Sequence, residues 1–126
     1  MKIIVIDDEK DVQILFRQKF RKEIRSGTLQ FHFALSGEEG LQYLQLNGTT
    51  DIYLILSDIN MPGMNGLELL QEIKQQYPGL TVYMITAYGD DYNYREAIAR
   101  GCDDYLTKPL NFEALKDKIL PQDLQN

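Results

Sequence analysis

The chain of 126 residues has one cysteine, Cys102. A single thiol excludes an intramolecular disulfide and a zinc site of the multi-cysteine kind. Long apolar runs are also missing. The N-terminus, Met1-Lys2-Ile3-Ile4-Val5-Ile6-Asp7-Asp8, offers only four apolar residues before two carboxylates. That is too few for a signal peptide and far too few for a membrane span. Cations are in deficit: thirteen Lys plus Arg against nineteen Asp plus Glu give a net charge of -6. A surface of that sign repels phosphate backbones and anionic lipid, which argues against nucleic-acid binding by this domain alone and against membrane association. These absences lead to the expectation of a soluble cytoplasmic domain.

What is present is an ordinary globular composition, 44% hydrophobic and 25% charged, with nine Gly and four Pro. The length suits one domain able to bury a core without staples. Short apolar runs at Ile3 to Ile6, Ile52 to Leu56 and Leu80 to Ile85 read as strands covered on both faces. Leu29 to Ala34 alternates apolar with polar and reads as an edge strand with one wet face; Asp104-Tyr105-Leu106 reads as a short last strand. Helical stripes lie between: Val12, Phe16, Phe20 and Ile24; Leu67, Leu70, Ile73 and Tyr77; Phe112, Leu115 and Ile119. Ser36 reads as a helix cap with Glu39 three residues on. Gly27, Gly48, Gly79 and Gly101 follow helical stretches where a reversal calls for positive φ. A β-α unit repeated about five times implies an α/β fold: one parallel sheet with helices on both faces, joined by right-handed crossovers. Ligands of such sheets sit beyond the carboxyl ends of the strands.

Those ends carry polar residues of a consistent kind. The first strand ends in Asp7-Asp8, the third in Asp58, the fourth in Thr86-Ala87, and Thr107-Lys108-Pro109 follows the last. Taken singly, each has a plain structural reading; an Asp pair after a strand is often only a helix cap. Taken together at one rim, three carboxylates repel one another unless a cation sits among them. An all-oxygen cluster suits a hard divalent ion, and Mg²⁺ binds in this way through a few carboxylates and waters. Lys108 adds a point charge and Thr86 a hydroxyl donor, a set suited to a phosphoryl group. Asp58 is then a candidate nucleophile toward phosphorus, because it ends a central strand and precedes a loop, Ile59 to Gly66, that offers amides to a phosphate.

The stretches Ile4 to Glu9, Leu56 to Gly66, Ile85-Thr86-Ala87 and Asp104 to Leu110 resemble the receiver domains of two-component response regulators of the chemotaxis-receiver-like kind. The likeness runs from Lys2 to about Leu120. It implies a flavodoxin-like, doubly wound five-stranded sheet of order 2-1-3-4-5 with about five helices. It also implies a receiver domain over residues 1–121, with 122–126 as a tail or the start of a linker to an output domain. Asp58 would be the phosphoacceptor, taking its phosphoryl group from phosphohistidine of a sensor histidine kinase or a histidine phosphotransfer protein. Asp8 and Asp58 would ligate Mg²⁺ directly, Asp7 through water, and Asn60 through its main-chain carbonyl. Lys108 and Thr86 would hold phosphoryl oxygens. Tyr105 would turn inward as the switch, altering the face of the fourth helix, last strand and fifth helix for a partner or a homodimer. Such a domain is a regulatory phosphoacceptor rather than an enzyme with turnover.

Three other classes fit less well. An FMN carrier needs a Ser/Thr/Gly-rich loop where Asp7-Asp8-Glu9 stands, and a haloacid-dehalogenase-like phosphatase needs two Asp spaced by two on the first strand. A receiver-like module that is never phosphorylated would be expected to lack one of Asp7, Asp8, Asp58, Thr86 or Lys108. Tyr88, Tyr92 and Tyr94 suit a protein interface. Arg17, Lys19, Arg21, Lys22 and Arg25 read as a solvated helix face, His32 as a surface residue, and Cys102 as a semi-buried filler. Gly40, where receivers often have Ala, weakens its helix by roughly 1 kcal/mol.

Overall fold

The computed structural model describes residues 1–121; the expected tail at 122–126 lies outside the described residues. The order is β1(Lys2–Ile6), α1(Lys10–Lys19), α2(Arg21–Arg25), β2(Gln30–Ala34), α3(Gly37–Asn47), β3(Ile52–Asp58), α4(Gly66–Gln76), β4(Val82–Thr86), α5(Asp91–Ala99), β5(Asp104–Thr107) and α6(Phe112–Ile119). All four strand pairings are parallel, and the sheet runs β2-β1-β3-β4-β5. The expected strand order and doubly wound architecture are present.

Alternation along the strands builds two cores. Ile3 and Val5 of β1 and Leu54 and Leu56 of β3 join Phe16, Phe20, Ile85, Leu106, Leu115 and Ile119, under α1 and α6. Ile4, Ile6 and Ile55 point the other way and meet Leu44, Leu67, Leu70, Ile73, Val82 and Ala97, under α3, α4 and α5. All five phenylalanines gather in the first core. Phe16 lies 5.8 Å from Phe20, 5.7 Å from Phe31, 6.3 Å from Phe33 and 5.2 Å from Phe112 between ring centroids.

The structure corrects several local expectations. The stripe from Val12 to Ile24 is not one helix: the backbone departs from helical geometry at Phe20 (φ -106, ψ 20), so the described residues form six helices, where about five were expected. Phe20 is fully buried among the other rings, and the segment yields to that packing. Hydrogen bonds from Phe20 N to Phe16 O and from Ile24 N to Phe20 O, both 2.9 Å, bridge the break. Ile24 is left 37% exposed, outside the core. On β2 the polar side is half covered, because the His32 ring stacks on Tyr43 with centroids 3.8 Å apart. Gly27, Gly48 and Gly101 have positive φ but Gly79 does not; Gly63 and Gly89 do. The face expected to switch is therefore α5, β5 and α6 in the present numbering.

Candidate metal and phosphoryl site

Parallel strands deliver their carboxyl ends to one rim. Asp7 and Asp8 follow β1, Asp58 closes β3, Thr86 closes β4 and Lys108 follows β5. Because β1 and β3 are neighbours, Asp7, Asp8 and Asp58 each place a carboxylate oxygen within 4.8 Å of the others. Asp7, Asp58 and Thr86 are buried at 6%, 2% and 2% exposure, whereas Asp8 opens to solvent. The Lys108 ammonium donates to Asp58 Oδ2 at 2.8 Å, and its main-chain N–H donates to Thr86 O at 2.9 Å. One residue thus ties the end of β4 to the carboxylate on β3. The Asn60 amide donates to Asp58 Oδ1 at 3.3 Å, and the Glu9 amide to Asp7 Oδ1 at 2.9 Å.

Burial is the main force raising the Asp7 pKa, to about 6; the Asp58 charge adds to it, while the Glu9 amide and Lys108 oppose it. For Lys108, burial favours the neutral amine. The hydrogen bond and charge of Asp58, with Asp7 and Glu9 behind, outweigh it, and the lysine stays firmly protonated. Three ionised acids and one ammonium would leave two negative charges in a partly buried oxygen cluster. That charge and donor set fit a hard divalent cation.

The loop after Asp58 is drawn tight beneath the site. Gly66 N donates to Ile59 O at 2.8 Å, closing the loop at its base. Asn65 and Glu68 then form a reciprocal capping box that starts α4. A Cβ at Gly66 would stand 2.2 Å from Asp58 O and 2.6 Å from Ile59 Cα. Ser57 Oγ donates to the same Asp58 carbonyl at 3.0 Å, fully buried. Beside Asp7 and Lys108 a cleft of about 500 Å³ opens between α1 and α6, lined by Val12, Leu15, Leu110 and Phe112.

Asp7, Asp8, Asp58 and Lys108 form one cluster, Asn60 borders it through its amide, and Thr86 joins it through the Lys108 backbone. Tyr105 stands apart: 36% exposed, it packs on Tyr94 with ring centroids 4.3 Å apart at 60°. No sequence spacing connects Tyr94 on α5 with Tyr105 on β5, so that pairing was not legible. Neither was the closeness of Gly66 to Asp58. Tyr88 and Tyr92 are exposed at 86% and 64%. Cys102 is half-buried and packs on the α4–α5 side of the core.

A doubly wound sheet of this order with acids and a lysine on its carboxyl rim defines a flavodoxin-like domain with an acidic rim site. The chain belongs to the response regulator receiver domains, whose family model matches residues 3–120. The response regulator protein FleR of Pseudomonas aeruginosa is 34% identical over 118 residues, covering 94% of this chain and 24% of FleR. A response regulator receiver domain protein from Clostridium thermocellum matches with a TM-score of 0.82 at 30% identity, over 94% of this chain and 90% of that one. The response regulator TrrA from Thermotoga maritima, solved in complex with Mg²⁺ and BeF, matches with a TM-score of 0.75 at 30% identity, over 94% and 95%. The chain spans between 23% and 44% of the length of FleR and two further curated relatives. Among the described residues, no helix is long and apolar enough to cross a membrane.

Proposed function

We propose that this domain is a phosphorylation-controlled switch in which Asp58 accepts a phosphoryl group from phosphohistidine of a sensor histidine kinase or a histidine phosphotransfer protein. The observation that carries the reading is the single cluster of Asp7, Asp8 and Asp58 with the Lys108 ammonium 2.8 Å from Asp58 Oδ2. An Asp58 carboxylate oxygen attacks phosphorus, the P–N bond to the donor imidazole breaks, and the imidazole leaves with the electron pair. Mg²⁺, held by Asp8 and Asp58 directly, by Asp7 through water and by the Asn60 carbonyl, would neutralise charge on the transferring group. Lys108 moves from the carboxylate to a phosphoryl oxygen, and Thr86 donates its hydroxyl to another. Tyr105 then turns inward behind Thr86, which changes the face of α5, β5 and α6 for a partner, a second copy or an attached output domain.

The domain assists its own phosphorylation and dephosphorylation, acts in the cytoplasm and occupies residues 1–121. The test is incubation with acetyl phosphate with and without Mg²⁺, followed by intact mass. One added phosphate is expected, dependent on Mg²⁺ and absent from Asp58→Ala. Labelling that persists in Asp58→Ala would overturn the assignment.

A further inference from the structure

Tyr105 is held in its outward position by a named neighbour. Its ring meets that of Tyr94 at 4.3 Å between centroids and 60° between planes, within the range where aromatic pairs attract beyond simple burial. The contact crosses from α5 to β5, and the two phenol groups also interact with each other, which raises the Tyr94 pKa. Beside the pair lies an open cavity of about 380 Å³, lined by Thr86, Ala87, Tyr88, Asp90, Tyr94 and Tyr105. One open cavity thus borders Thr86 and both rings of the pair. Burial does not hold the Tyr105 ring where it rests, because Tyr105 is 36% exposed.

We propose that Tyr94 is a positioning residue: its ring latches Tyr105 outward in the unphosphorylated domain and so sets how much phosphorylation shifts the switch. The proposal rests on the functional reading above and names the regulation of that same site. Moving Tyr105 inward breaks the ring pair, and the state that follows exposes the Tyr94 ring beside the already exposed Tyr92. A bias of this kind acts on both sites at once. If inward Tyr105 favours the phosphorylated state, then removing the latch must tighten binding of a phosphoryl mimic by the same factor. An aromatic pair of this strength corresponds to roughly a 2- to 12-fold change in the inward population.

The test uses the whole chain, labelled with 3-fluorotyrosine, with the Tyr105 resonance assigned from Tyr105→Phe. In the wild type, Mg²⁺ with beryllofluoride is expected to move the Tyr105 ¹⁹F signal. In Tyr94→Ala the signal without beryllofluoride is expected to lie part-way to that position, and beryllofluoride to bind several-fold more tightly. Tyr94→Phe keeps the ring but loses the hydroxyl contact with Tyr105, and is expected to fall between wild type and Tyr94→Ala, which separates the latch from a general loss of fold. A wild type that does not respond to beryllofluoride would defeat the functional reading itself. A responsive wild type with an unchanged Tyr94→Ala signal and affinity would defeat the latch alone.

Discussion

Asp58 has its two carboxylate oxygens committed to different partners, Oδ2 to the Lys108 ammonium and Oδ1 to the Asn60 amide. Its backbone is equally confined, between the Ser57 hydroxyl and the bare Cα of Gly66. Gly66→Ala must push the loop or Asp58 itself aside, since real Cβ atoms do not approach backbone at 2.2 Å. The expected result is at least a tenfold loss of Mg²⁺-dependent labelling by acetyl phosphate, read by intact mass, with the chain still folded by circular dichroism. Labelling at the wild-type rate would show that the close approach does not position the acid.

At His32 the residue scale carries a pH dependence. Burial lowers its pKa below 6.5, the Lys2 ammonium pushes the same way, and Glu39 opposes. Tyr43, stacked on the ring, also accepts a hydrogen bond from Lys2. A group whose folded pKa lies below its unfolded value contributes in full above the unfolded pKa. That contribution is lost as pH falls through 6.5 toward the folded value. The His32 share of the urea midpoint is therefore expected to fall between about pH 7 and pH 5, against the gain that Asp7 contributes as it takes up its proton near pH 6, so the midpoint of wild type relative to His32→Phe is the quantity expected to drop. Equal slopes in the two proteins would count against it.

Among the elements, β1, β3 and β4 followed the sequence closely because their apolar runs are short, continuous and bounded by acids or turns, while β2 showed itself by alternation. Helix limits followed less well, since they depend on contacts made across the fold. The four-residue repeat from Val12 to Ile24 gives no hint that Phe20 will be claimed by Phe31 and Phe112 on other elements and interrupt the helix. Gly40 carries the same lesson. Read alone it merely weakens α3; in place, a Cβ there would lie 2.5 Å from Ile6 Cδ1.

Gly40→Ala should gain about 1 kcal/mol of helix propensity and lose about 1–3 kcal/mol to overpacking against β1. The expected outcome is a lower denaturation midpoint. The double change Gly40→Ala with Ile6→Val removes the offending methyl and should be less destabilising than the sum of the two single changes. Simple additivity would show that Ile6 does not oppose the helix.

On the scale of the whole molecule, what the sequence declared was convergence. Asp7, Asp8, Asp58, Thr86 and Lys108 each stand at a strand end, and a parallel sheet leaves such ends no choice but one rim. What it could not declare was where side chains point across that rim. Lys108 reaches back to Asp58 while its own backbone is bonded to Thr86, and Tyr105 leans away onto Tyr94. The cluster owes its capacity for chemistry to charge. Two buried acids and an exposed third carry more negative charge than one lysine can offset, and burial, with the Asp58 charge adding to it, raises the Asp7 pKa to about 6.

The direct measurement is a Mg²⁺ titration of the isotope-labelled domain at pH 7.5, followed by amide chemical shifts. The account predicts that Asp7, Asp8, Glu9, Asp58, Ile59, Asn60 and Lys108 shift together, saturating with one dissociation constant in the millimolar range or below, and that Asp8→Asn weakens it at least tenfold. No saturating shifts at those residues, or shifts scattered over the surface acids, would contradict it.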